Sequence, residues 1–215
     1  MSYVSDARLL VLHALRLKGV AGAEAVGGAV GIDALVVERQ LEGLAALGMV
    51  VRREGLLNGW QLTQAGRIEH ERLLAGELDA AGARPVVERG YRRFRSLNPG
   101  VLDACSRWQV RELSGHLVRN DHHDPGYDEK VLNDLSGALS DVRPLSDRLA
   151  DVLERFGPYG PHLEEALDRA WAGERDYVTK PVIPSFHTVW FELHEDLLAT
   201  LGLDRSSESE AGAPA

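Results

Sequence analysis

Apolar positions recur along the chain at two spacings, and the change from one to the other marks its organisation. Between residues 5 and 18, Leu9, Leu10, Leu12, Leu15 and Leu17 fall at near-helical spacing behind Ser5, which reads as the N-cap. A weaker helix is expected from Gly22 to Val30. Gly27 and Gly28 lie inside it and each costs about 1 kcal/mol relative to alanine, which points to close packing against another backbone. In GIDALVVERQLEGLAALGMV, Asp33 can cap a third helix, Val37, Leu41 and Leu44 form its inward stripe, and Gly48 ends it. The spacing then shortens to two. MVVRR and GWQLT read as strands around a turn at Glu54–Asn58, where Asn58-Gly59 supplies the backbone freedom of a hairpin. Thr63 caps a fourth helix that opens QAGRIEHERLL.

From residue 83 onward the pattern is helical, and no strand is predicted. Pro85 fits the first turn of a helix carrying Val86, Val87, Tyr91 and Phe94, and Asn98-Pro99 reads as cap and first turn of the next, NPGVLDACSRWQVREL. A polar loop, RNDHHDPG, follows. Tyr127, Val131, Leu135, Leu139, Val142, Leu145, Leu149, Val152 and Phe156 then recur every three or four residues, a long stripe kinked or divided at Pro144. Pro161 opens another helix with Leu163, Leu167 and Trp171, and Ser185 begins the last, SFHTVWFELHEDLLATLG. The long stripe, with Val189, Trp190, Leu193 and Leu197, offers more apolar surface than one helix layer covers, so a homodimer through this half is expected. The closing SSESEAGAPA is polar and rich in small residues, and is expected to be disordered.

Helix, helix, helix, hairpin, helix is the order of a winged helix-turn-helix. Leu41, Leu44, Gly48, Met49 and Val50, then Leu62, Thr63 and Gly66, resemble the "L..L...GMV" and "LT..G" signatures of bacterial winged-helix regulators of the MarR and PadR kind, over about a third of the chain. The resemblance implies a winged helix-turn-helix domain with a small β-hairpin wing over 1–82; with the helical pattern beyond it, an all-α helical bundle over 83–203 for effector binding or dimerisation, and the polar tail over 204–215, a mainly α fold is expected. The resemblance also implies a DNA-binding transcriptional regulator that meets a two-fold site as a dimer. The C-terminal half is similar to a helical segment of actinobacterial proteins found near phosphoenolpyruvate-utilising enzymes, a likeness that carries no activity.

Charge narrows where nucleic acid could bind. The net charge of −9 is unevenly spread: residues 1–72 hold eight acidic and eight basic side chains, 84–111 carry a net of +5, and 112–215 a net of −12. A nucleic-acid surface therefore belongs in the first half. At 44% hydrophobic and 27% charged the composition is that of a soluble globular protein. Cys105 is the single thiol, so there is no disulfide framework or CxxC pair, which suits a reducing cytosol and a cytoplasmic location. The N-terminal stretch reads as an amphipathic helix rather than a signal peptide. No apolar run approaches the roughly 18 residues that span a bilayer.

Candidate chemistry is sparse. In relatives that read DNA the third helix enters the major groove, and Arg39 and Gln40 are its only residues here suited to base edges, whereas Glu38 and Glu42 would repel phosphate. Arg52 and Arg53 on the wing and Arg67 at the following helix can hold phosphates without reading sequence. The arginines of RGYRRFRSLN could extend that surface, but a face that neutralises the acidic half accounts for them better. Asp121, His122 and Asp124 in the loop, with His187, Glu192 and Glu195 on the last helix, are the alternative candidates for a metal site. Their spacing lacks the three- or four-residue histidine pair of helical sites, so a structural role, tying loop to terminal helix, is expected. His13 and His70 suggest ordinary histidines, and Cys105 a buried small hydrophobe. No nucleophile motif, Gly-rich phosphate loop or cofactor fingerprint is present, and no cofactor is expected. Apolar and acidic residues on the third helix favour a second reading, a non-enzymatic protein-interaction module or accessory subunit. A metal-dependent bundle enzyme is a third.

Overall fold

Residues 2–55 and 58–203 are described by the computed structural model. The expected disordered tail, 204–215, and Leu56 and Leu57 of the expected hairpin turn lie outside the described residues. The described residues are mainly helical, with two small antiparallel sheets. None of their helices is long and apolar enough to cross a membrane. The chain divides into two compact units, one comprising 1–85, 152–155 and the stretch from Glu195, the other 86–151 and 156–194.

In the first unit the order is α1 (Ala7–Lys18), β1 (Val20–Ala21), α2 (Ala23–Val30), α3 (Ala34–Ala46), β2 (Val50–Arg53), β3 (Gly59–Leu62) and α4 (Gln64–Ala80). The cap of α1 differs from expectation. Asp6 accepts from the Arg8 backbone N–H at 2.8 Å, while Ser5 is buried and donates to Glu77. Asp33 caps α3, accepting from Leu35 N–H at 2.9 Å, and Thr63 caps α4, accepting from Gly66 N–H at 3.1 Å. The sheet runs β1–β3–β2, with Val50 opposite Leu62 and Arg52 opposite Trp60. Val11, Leu12, Leu15, Val26, Val37, Leu41, Leu44, Val50, Trp60 and Leu62 close over one another as the core. Apolar side chains on one face of each helix and on one face of the hairpin thus account for this packing.

The "GMV" and "LT..G" signatures meet here. Thr63 Oγ1 donates to the Gly48 carbonyl at 2.7 Å, and Thr63 N–H donates to the Met49 carbonyl at 3.0 Å. A Cβ at Gly66 would stand 2.0 Å from that Met49 oxygen, so only glycine lets the start of α4 approach the strand entry. The paired glycines of α2 divide in the same way. A Cβ at Gly27 would be 2.4 Å from the Ile32 carbonyl, whereas Gly28 faces open space and has no packing reason.

The second unit is built on α5 (Arg84–Gln109), α6 (Pro125–Ala150), α7 (Tyr159–Trp171), α8 (Asp176–Thr179) and the first part of α9 (Phe186–Leu201). Two expectations fail. The expected break at Asn98-Pro99 is absent, since α5 runs through it, and of the kink or division expected at Pro144 the division is absent, since α6 runs through it. Each proline removes a backbone hydrogen bond. Both are exposed, however, and buried neighbours on either side (Phe94 and Val101; Val142 and Leu145) hold each helix continuous by packing. Asn98 uses its amide oxygen to accept from the Trp190 indole at 3.0 Å rather than to cap. The second correction is that this half is not all-α. The end of an expected helix and the stretch between it and the RNDHHDPG loop form a hairpin, β4 (Val110–Leu113) and β5 (His116–Arg119), turned by Ser114 and Gly115 at φ 52° and 80°. Phe94 stacks on Trp190 with ring centroids 4.7 Å apart. Val131, Leu135, Val142, Leu145 and Leu149 of the α6 stripe are buried within the chain, as are Val189, Trp190, Leu193 and Leu197, while Tyr127 and Leu139 are half-buried. Most of the apolar surface expected to form a dimer is therefore already covered within the chain.

Candidate nucleic-acid interface

On α3, Arg39 is exposed, and Gln40 is not its equal. Gln40 lies three residues after Val37 and four before Leu44, on the inward side, and its amide oxygen is enclosed without a hydrogen-bond partner. Of the two expected base readers, the structure presents Arg39. Glu38 faces the hairpin: it accepts from the Trp60 indole at 3.4 Å and pairs with Arg52 at 3.6 Å. Arg52 also lies over the Trp60 ring, 5.6 Å from its centroid. This triad ties α3 to the outer strand and offsets one of the two negative charges expected to oppose phosphate. Arg53 extends on the opposite strand face and donates to Gln61 at 2.8 Å. Arg67 is exposed on α4, so Arg39, Arg52, Arg53 and Arg67 are four exposed cations of this unit. Leu35, 75% exposed, and the exposed Glu42 share α3 with Arg39, and Leu47, 63% exposed, follows at its C-terminal end.

Away from this surface the first unit holds a buried charge network that the sequence did not reveal. Arg155 donates through Nε to Glu77 at 2.8 Å, through Nη1 to Asp196 and through Nη2 to Thr200 at 2.6 Å. His13 Nε2 donates to Asp196 at 3.0 Å, and its Nδ1 shares a hydrogen with His70 Nε2 at 2.9 Å. The side chains of Arg155, Glu77, Asp196 and His13 are 2–6% exposed. Burial, reinforced by His13 and Arg16, pushes the His70 imidazole down to about 3. Burial pushes the Asp196 carboxyl up, but Arg155 and His13 outweigh it and hold it below the usual carboxylate range. These groups join α1, α4, residues 152–155 and the end of α9 into one unit. Tyr3 reinforces the join by pairing its backbone with Val152 and Glu154, at 3.0 Å each.

The six alternative metal candidates do not converge. His122 is held by Asp128, its Nδ1 2.9 Å from Oδ2, and Asn120 donates to the other Asp128 oxygen at 2.8 Å. Asp124 caps α6 and pairs with Arg111 at 3.3 Å, while Asp121 pairs with His123 at 3.1 Å. The loop is thus secured to α6 through Asp128, a member of the same polar stretch, where a tie to the last helix was anticipated. On α9, His187 is partly buried, which lowers its pKa, and Glu195 pairs with Arg16 at 3.6 Å. Among the described residues no group of three or more His, Cys, Asp or Glu side chains is placed to hold a metal ion. Cys105 is buried, which pushes its thiol up to about 12. Comparison of the chain with protein-family models, with curated proteins and with solved structures finds no match.

Proposed function

We propose that the first unit is a winged helix-turn-helix of the MarR and PadR kind and that the protein is a transcriptional regulator binding double-stranded DNA. In this reading α3 is the recognition helix, β2–β3 is the wing, and two copies meet a two-fold site, because one helix reads only a few base pairs. The observation that carries it is the coupling of Arg52 to α3 through Trp60 and Glu38, which presents a basic hairpin and the exposed face of one helix as a single element. Arg52, Arg53 and Arg67 serve as phosphate contacts and Arg39 as the base reader. The test is binding to mixed genomic fragments across a salt titration. A specific fraction should remain bound at salt where the bulk has dissociated, since phosphate contacts weaken steeply with salt and base contacts do not. Uniform release of all fragments would defeat the reading.

A second reading has its own observation. Leu35 on α3 and Leu47 at its C-terminal end are large apolar side chains left open on the same helix as acidic Glu42, a surface better suited to a protein partner than to a groove of phosphates. Leu35→Ser with Leu47→Ser separates the two. DNA affinity unchanged by this variant supports the regulator.

A further inference from the structure

The hairpin β4–β5 has one face that is partly covered, with Arg111 and Val118 half-buried while Leu113 and His116 next to the turn stay exposed, and one face that is open along its whole length. Arg111 anchors the partly covered face: its side chain is 12% exposed, pairs with Asp124 at 3.3 Å and lies 5.6 Å over the Tyr127 ring. Successive strand residues alternate faces and directly opposed residues share one. The register pairs Val110 with Arg119 and Glu112 with Leu117, so these four side chains make up the outer face. All four are exposed, Leu117 by 78% and Val110 by 41%. A two-stranded hairpin is marginal alone, and an uncovered leucine at its centre gives it no support of its own.

The four residues form a checkerboard. Val110 and Leu117 occupy one diagonal, Glu112 and Arg119 the other. Laying a second identical face on the first, about a two-fold axis along the apolar diagonal, sets Val110 on Val110 and Leu117 on Leu117. The same operation brings each Glu112 to the Arg119 of the other copy. The pattern is self-complementary, as an isologous contact requires. We propose that this face is an interface with a second copy of the chain. It supplies the surface for the dimer that a two-fold DNA site requires, which the α6 and α9 stripe, mostly buried within the chain, does not provide. The proposal rests on the regulator reading and deepens it by naming the dimer surface, and it is measured without DNA, so that either can fail without the other.

Four short side chains bury less than the roughly 800 Å² per partner of a standard interface, so the dimer is weak and reversible. Sedimentation equilibrium from about 1 to 100 µM full-length protein should show a concentration-dependent rise from monomer to dimer mass. Each dimer holds two Glu112–Arg119 pairs, so Glu112→Arg or Arg119→Glu turns two attractions into two repulsions. Either should weaken dimerisation at least about tenfold. The double variant restores opposite charges and should return to within about threefold of wild type, and an equimolar mixture of the two single variants should form heterodimers. Because all four positions are exposed, the variants should keep the circular dichroism of the wild type. A monomer at every concentration overturns the proposal. So does a dimer indifferent to both single reversals, a double variant that is not rescued, or reversals that change DNA affinity while leaving the mass unchanged.

Discussion

Replacing Arg155 with methionine removes the centre of the buried network while keeping much of its volume. The guanidinium is 3% exposed and serves two carboxylates, Glu77 and Asp196, each 2% exposed. Deleting one partner of a buried ion pair costs about 3–5 kcal/mol, because the other charge is left without compensation. Here one deletion leaves two. The costs do not simply double, since Asp196 keeps His13 at 3.0 Å and Glu77 keeps the Ser5 hydroxyl. A loss near the upper end of that range is therefore expected, a large part of the roughly 5–15 kcal/mol that holds a domain folded. With a urea slope of about 2 kcal/mol per molar, the unfolding midpoint of the first unit falls by about 2 M. Urea titration followed by far-UV circular dichroism reads it directly. Adding Glu77→Gln and Asp196→Asn to the Arg155→Met chain removes the uncompensated charges and should recover at least about half of the loss. A midpoint shift below about 0.5 M at neutral pH would refute the view that these charges are buried together.

Two further predictions concern the same unit. Burial and His13 hold the His70 imidazole at about 3, below its ordinary 6.5, with Arg16 and Arg155 adding to the effect and Asp196 opposing it. The unfolded chain therefore binds the extra proton, and this contribution is full above pH 6.5 and is lost as pH falls towards 3. By pH 5 the loss amounts to about 2 kcal/mol. His70→Gln should flatten the loss between pH 7 and 5, and an unchanged slope would contradict the burial of His70 as a neutral group. In α4, Gly66→Ala sets a Cβ against the Met49 carbonyl and should destabilise by at least about 2 kcal/mol, whereas Gly76→Ala, with nothing within 4 Å, should be neutral or gain about 0.5–1 kcal/mol. Equal thermal shifts for the two would remove the reason given for the "LT..G" signature.

Local rules made much of the first unit legible. Asp33, Thr63 and the Asn-Gly turn announce helix starts and a hairpin through hydrogen bonds within a few residues, and the sequence carries that information directly. The second unit yields less, because tertiary packing overrides local signals there. Pro99 and Pro144 look like helix ends, yet buried neighbours carry α5 and α6 past them. The hairpin was readable in part, since V-R-E-L and H-L-V-R flank a Ser-Gly pair, but the preceding helical stripe masked the change of period. The charge network could not be read. His13, His70, Glu77, Arg155 and Asp196 lie far apart along the chain, and only the fold brings them together. At the candidate interface, charge indicated the wing arginines, while the enclosure of Gln40 depends on the orientation of α3.

The most direct test of the central reading is the salt dependence of DNA binding by wild type and by Arg52→Ala/Arg53→Ala on one selected fragment. Removing one cation that neutralises a phosphate should reduce the slope of log affinity against log salt by about 0.9, so the double variant should bind all sequences more weakly with a slope lower by about 2. Arg39→Ala should leave the slope nearly unchanged and relax sequence preference, costing about 1–3 kcal/mol at one base position. A double wing variant that binds as tightly as wild type, with the same slope, would contradict the winged-helix account.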